Sequence, residues 1–82
     1  EGIVASLRSV KDVQIAVLLK EKKKEIKVSL RAKRMGNVAE IGMKYGGGGH
    51  LKAAGCSLHC SLEEAKRIIM EEVTENLKKF RE

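Results

Sequence analysis

Four consecutive glycines, Gly46-Gly47-Gly48-Gly49, closed by His50 and followed by Ala53-Ala54-Gly55, constrain this chain more than any other stretch. Half of its eight glycines sit in that run. Glycine loses more conformational freedom on folding than any other residue, so the run opposes the folding of a small domain. It points to a place that needs bare backbone: positive φ angles, close approach of a ligand, or successive N–H groups turned toward an anion. A plain mobile surface loop is the competing reading.

The 82 residues are enough for one domain, 1–82, and too few for two. With one Tyr, one Phe and no Trp, the core has to be built from Ile, Val, Leu and Ala. No apolar run approaches the roughly 20 residues that span a bilayer, so no membrane partner is expected. There is no secretory signal pattern. A start at Glu1, with no initiator Met, points to a piece cut from a longer protein, with a processed or tag-derived start as the alternative. The net charge of +6, from 17 basic against 11 acidic residues, favours anionic partners such as nucleotides and nucleic acid. Lys22-Lys23-Lys24 is expected at an exposed turn. Cys56 and Cys60 flank Ser57-Leu58-His59, and so few thiols suit a reducing cytoplasm. Three potential ligands fall short of the four of a structural zinc site, so no metal is expected there.

Hydrophobic periodicity divides the chain. Ile3, Val4, Leu7 and Val10 fall at helical spacing and predict a short helix over 2–10. Residues 12–20 alternate, with Val13, Ile15, Val17 and Leu19 on one face and Gln14, Ala16 and Leu18 on the other. Residues 25–33 alternate as well, Ile26, Val28, Leu30 and Ala32 opposing Glu25, Lys27, Ser29, Arg31 and Lys33. The short link between them predicts an antiparallel hairpin. Asn37 with Glu40 resembles a capping box opening a helix with Val38, Ile41 and Tyr45 on one face, which Gly46 would end. A third strand is expected from Lys52 to Leu58. Ser61-Leu62-Glu63-Glu64 is a second capping box, opening a helix with a stripe of Leu62, Ala65, Ile69, Val73, Leu77 and Phe80. The order helix, strand, strand, helix, strand, helix predicts an α/β fold: a small mixed β-sheet with a hairpin and a third strand, flanked by helices.

The glycine run follows a helix instead of opening one. It therefore matches neither the P-loop nor the dinucleotide fingerprint, in which phosphate meets a helix N-terminus. A helix C-terminus repels anions. A phosphate here would depend on loop N–H groups and added donors. His50 is one candidate. Arg31 is the second, because it shares a strand face with Ser29 away from the apolar side, and its planar fork suits phosphate or carboxylate. Ala53, Ala54 and Gly55 would keep the neighbouring strand surface low enough for a ligand or another domain to approach. A solvated Arg31 and a buried, structurally satisfied His50 remain open at this level.

Ser29-Leu30-Arg31, then Gly46-Gly47-Gly48-Gly49-His50, then Ala53-Ala54-Gly55, at this spacing, resembles the DHHA1 domain of DHH-family phosphoesterases. The resemblance spans about residues 10–75. It is strongest to the subgroup of oligoribonucleases (nano-RNases), 3′-phosphoadenosine-5′-phosphate phosphatases and cyclic-di-AMP phosphodiesterases. It implies a separate N-terminal DHH domain in the same parent chain that carries Mn²⁺ and performs the hydrolysis, with this domain holding the substrate across a cleft. On that reading Arg31 and His50 grip a phosphate or terminal nucleotide of a nucleotide or short RNA, Gly46, Gly47, Gly48 and Gly49 line the cleft, and Ser29 supports Arg31. Ala53, Ala54 and Gly55 play the supporting role.

The chain by itself is expected to be neither a hydrolase nor a metal protein. Asp12 is its one aspartate, His50 and His59 its two histidines, and a two-metal phosphoesterase needs several carboxylates and imidazoles converging. Catalytic residues and cofactor are therefore expected to be absent here, and Glu71-Glu72 reads as a solvated helix face. Two alternatives stand beside this reading. One is a stand-alone RNA-binding module similar to the C-terminal domain of alanyl-tRNA synthetase. The other is a structural or dimerising cap, with a homodimer of the parent among its consequences.

Overall fold

Alternation of apolar and polar residues builds the centre of a β-sheet. The structure, a computed structural model, describes residues 2–8, 14–33 and 37–79. Its elements in chain order are β1 (Gly2–Arg8), β2 (Gln14–Lys22), β3 (Glu25–Lys33), α1 (Ala39–Lys44), β4 (Gly48–His50), β5 (Ala53–Leu58) and α2 (Leu62–Lys78). The strands form one sheet in the order β1-β2-β3-β5-β4. Ile15, Val17 and Leu19 of β2, Ile26, Val28, Leu30 and Ala32 of β3, and Ala54, Cys56 and Leu58 of β5 are all buried on one face. Against them pack Val38, Ile41 and the α2 stripe of Ala65, Ile69, Val73 and Leu77. Burying each of the Ile, Val and Leu side chains among them contributes about 1.5–3 kcal/mol. The result is two layers, helices on one side of a sheet. The opposite face, carrying Lys27, Ser29, Arg31 and Lys33, is exposed.

The α/β class and the hairpin appear as expected, and Lys23-Lys24 forms the turn between β2 and β3. Three features differ. First, the segment expected as a helix over 2–10 is strand β1, antiparallel to β2 with Ile3, Ala5 and Leu7 opposite Leu19, Val17 and Ile15. A short apolar stretch fits both periods, and the unpaired edge of β2 favours the extended form. Val10 and Val13 lie outside the described residues. Second, the sheet has five strands, and every described pairing is antiparallel, where a mixed sheet was expected. Third, the glycine run is itself partly strand, since Gly48–His50 is β4 and pairs with β5. The expected third strand is β5 and begins at Ala53, because Leu51-Lys52 form the turn between the two.

Local signals at the helix ends fare unequally. At α2, Ser61 Oγ accepts the Glu64 N–H at 3.1 Å, as a capping Ser should. The Glu64 carboxylate does not complete the box but pairs with Arg67. At α1 the expected Asn37 cap is absent: Val38 occupies the N-cap position with no side-chain cap bond. Burial decides this. Val38 is fully buried, its N–H bonds to the Leu51 carbonyl at 2.9 Å, and the Asn37 carbonyl accepts from Asn76 Nδ2 of α2 at 2.9 Å. Glu40 pairs instead with Lys79 at 2.5 Å. Phe80 of the predicted stripe lies outside the described residues.

Candidate functional site

The glycine run starts where α1 stops. Gly46 takes φ +82°, the left-handed conformation that ends helices. Its N–H bonds to the Met43 carbonyl at 3.1 Å, and the Gly47 N–H bonds to the Gly42 carbonyl at 2.8 Å. This pair of bonds is a Schellman closure. A Cβ on Gly47 would lie 2.0 Å from the Gly55 carbonyl oxygen, so the run is pressed against β5. Gly49 has φ +138°, and a Cβ there would lie 2.4 Å from Ala54 Cα. Fold geometry thus requires a glycine at 46, 47 and 49.

Gly48 is different. A Cβ at Gly48 would meet nothing within 4 Å, and its φ lies outside the left-handed range. Nothing inside the described fold demands a bare backbone at this position. The segment is also not a loose loop. Gly48, Gly49 and His50 pair with Gly55, Ala54 and Ala53. Beyond them the Leu51 and Lys52 carbonyls accept the N–H groups of Val38 and Ala32, both at 2.9 Å.

Register brings the separated sequence motifs together. Arg31 is the partner of Ala53, which is the partner of His50, so the three stand in one row across β3, β5 and β4. In the next row Ser29, Gly55 and Gly48 stand in line. Cross-strand partners share a face, and here it is the one without helices. Arg31, His50 and Ser29 are all exposed on it. Two strand spacings separate Arg31 from His50, about 10 Å between backbones. Between them Ala53 and Gly55 rise no higher than a methyl group and a hydrogen. The floor is bare and its rim carries a guanidinium, an imidazole and a hydroxyl. A shallow depression of about 310 Å³, lined by Ala16, Arg31, Ala32 and Lys33, continues it on the β2 side.

Ala54, expected on this surface, faces the core instead and is 7% exposed. Alternation assigns only Ala53 and Gly55 to the open face. Cys56 is also buried, and burial pushes its thiol up. His59 points away into solvent and lies 3.7 Å from Glu25. Among the described residues no group of three or more His, Cys, Asp or Glu is placed to hold a metal ion.

A larger depression, about 700 Å³, lies between α1 and α2. Glu40, Glu71, Glu72 and Glu75 line it against Lys44 and Lys79, an excess of negative charge that disfavours phosphate. Glu72, expected to be solvated, takes two hydrogen bonds at one oxygen, from Lys44 Nζ and from the Tyr45 hydroxyl, each 2.6 Å. Only the fold shows this pairing, since the partners lie 27 and 28 residues apart.

The family model for the DHHA1 domain matches residues 1–79. The chain belongs to the DHHA1 family. A relative, the bifunctional oligoribonuclease and PAP phosphatase NrnA of Thermus thermophilus, is 33% identical over 78 residues. The match covers 94% of this chain and 24% of that protein, so the chain spans about a quarter of its relative's length. Among the described residues no carboxylates and imidazoles converge as a two-metal centre requires. Asp12 is the one aspartate, and the two histidines stand apart, His50 on β4 and His59 beside Glu25. No helix among the described residues is long and apolar enough to cross a membrane.

Proposed function

We propose that this DHHA1 domain holds one end of a short RNA or nucleotide for a DHH-family phosphoesterase. Arg31 and His50 contact a phosphate, and the substrate lies on the bare floor of Gly48, Ala53 and Gly55. The observation that carries this reading is the shared row of Arg31, Ala53 and His50 beside a glycine that the fold does not need. An Arg fork and an imidazole about 10 Å apart can close on a phosphate from both sides, the Arg by paired N–H donors. Ser29, two residues before Arg31 on the same face, lends a hydroxyl to the same ligand. The backbone N–H groups of the run add to the cradle.

Hydrolysis itself is assigned to an N-terminal DHH domain of the parent chain. Mn²⁺ bound there would activate the attacking water and stabilise the leaving oxygen. The short match to the oligoribonuclease and PAP phosphatase supports this division of labour. Two free thiols, Cys56 and Cys60, suit a reducing cytoplasm.

The test is an amide NMR titration of the chain with a 5′-phosphorylated RNA dinucleotide. Saturable shifts should centre on residues 46–50 and on Arg31, and Arg31→Ala and His50→Ala should each weaken binding at least tenfold while leaving the remaining spectrum folded. Shifts centred on the α1–α2 depression, or full affinity in both variants, would refute the assignment.

A further inference from the structure

Resting on that reading, we infer that the open sheet face carries a second phosphate subsite, built from Lys20 and Lys27, which grips an oligonucleotide two nucleotides away from the end held at Arg31 and His50. Lys20 of β2 and Lys27 of β3 are direct cross-strand partners, and both are exposed. Like charges placed directly opposite one another destabilise a sheet. An anion lying between the two ammonium groups turns that repulsion into attraction.

The spacing fits a phosphate chain. Lys27, Ser29 and Arg31 alternate along one face of β3. Each two-residue step advances about 7 Å, close to the phosphate repeat of an extended single strand. From Arg31 to Lys27 is about 14 Å, two such steps. The Ser29 hydroxyl stands midway, with Leu18 on one flank and bare Gly55 on the other. Ser57 of β5 continues the Lys27 row and adds another hydroxyl. Leu18 is 39% exposed and offers an apolar patch beside the track.

Charge complementarity favours a polyanion over a protein partner. Lys20, Lys27, Arg31 and Lys33 all stand exposed on this face, and Glu25, at the far end of β3, is the acid among its described residues. Tyr45 lies on the helical side, so no described aromatic ring is available to stack bases here. Recognition along the track would therefore go to the phosphates and be indifferent to sequence. The subsite would separate substrates by length: a dinucleotide or a nucleotide bisphosphate engages the Arg31 end alone, whereas a tri- or tetranucleotide reaches the lysine pair.

The experiment compares 5′-phosphorylated RNA of two and four nucleotides binding to the wild-type chain and to the double variant Lys20→Gln, Lys27→Gln. Both side chains are exposed, so the variant should fold. The wild type should bind the tetranucleotide at least fivefold more tightly than the dinucleotide, with Lys20 and Lys27 amides shifting only with the longer ligand. The double variant should lose that advantage and keep its dinucleotide affinity. Its salt dependence for the tetranucleotide should also be shallower, by about 0.7 in the log–log slope for each phosphate no longer neutralised by a lysine. If the dinucleotide binds at residues 46–50 but the tetranucleotide gains nothing, or if its gain survives in the double variant, the lysine subsite is wrong and the terminal site stands. If neither RNA perturbs residues 46–50 or Arg31, the terminal site fails and the subsite fails with it.

Discussion

Gly47 and Gly48 are neighbours with opposite expected responses to the same methyl group. A Cβ at Gly47 would be driven to 2.0 Å from the Gly55 carbonyl oxygen. Gly47→Ala should therefore cost about 2 kcal/mol or more, as overpacking does, and lower the Tm by about 10 °C in a domain this size. A Cβ at Gly48 meets open space. Gly48→Ala should leave the Tm unchanged or raise it slightly, because alanine loses less freedom than glycine on entering a strand. The same variant should weaken binding of a phosphorylated dinucleotide at least tenfold by standing where the ligand lies. Thermal melts and titrations of the two variants decide this, and a Gly48→Ala protein that binds normally would remove the floor from the proposed site. At this scale the sequence already points to a need for bare backbone in the run and to His50 and Arg31 as its candidate companions. It cannot show which glycine serves the fold and which serves the surface, because that depends on β5 lying against the run. Ala54 illustrates the same gap: only the phase of β5 assigns it to the core and its neighbours to the open face.

Strand and helix signals were legible where a single local pattern outweighed its surroundings. The alternation of 25–33 was unambiguous because charge and apolar character switch at every residue, and Ser61 caps α2 from its own side chain. Ser61→Ala should accordingly cost about 1 kcal/mol, read as a lower urea midpoint at unchanged m-value. Segments whose conformation is set from elsewhere were not legible. Strand β1 exists because β2 offers an edge, and the start of α1 is held by Leu51 and Asn76 instead of by Asn37. One strained position at this scale invites correction. Lys24, in the β2–β3 turn, has φ +58°, a conformation side chains adopt at a cost. Lys24→Gly should stabilise the hairpin by about 0.5–1 kcal/mol, since relief of strain exceeds the added flexibility of the unfolded turn. An unchanged urea midpoint would mean that the lysine already tolerates that angle.

The whole molecule joins the helical layer to the open face through the last residues of α1. Lys44 and Tyr45 both donate to Glu72 of α2, and the next residue is Gly46, where the candidate site begins. The Lys44 ammonium first, and the Tyr45 hydroxyl second, hold the Glu72 carboxyl below the usual carboxylate range. Glu72 thus contributes stability above that range, and the contribution disappears as pH falls through its lowered folded value. Tyr45 behaves in the opposite sense. Its hydroxyl is pushed up from 10.0 to about 12, chiefly by the hydrogen bond to Glu72 and then by burial. The neutral phenol is the form the fold prefers, so its contribution is complete below about pH 10 and is lost between about 10 and 12. Tyr45→Phe should be less stable than wild type by about 1 kcal/mol near pH 8, the value of a half-exposed hydrogen bond to a charged acceptor. The informative quantity is the difference between the two proteins. Urea unfolding at pH 8, 10, 11 and 12 should show that difference shrinking toward zero. The absence of a gap at pH 8 would mean that Tyr45 holds α1 by ring packing alone, which phenylalanine retains, and that the bond to Glu72 does not fix where the glycine run leaves the helix.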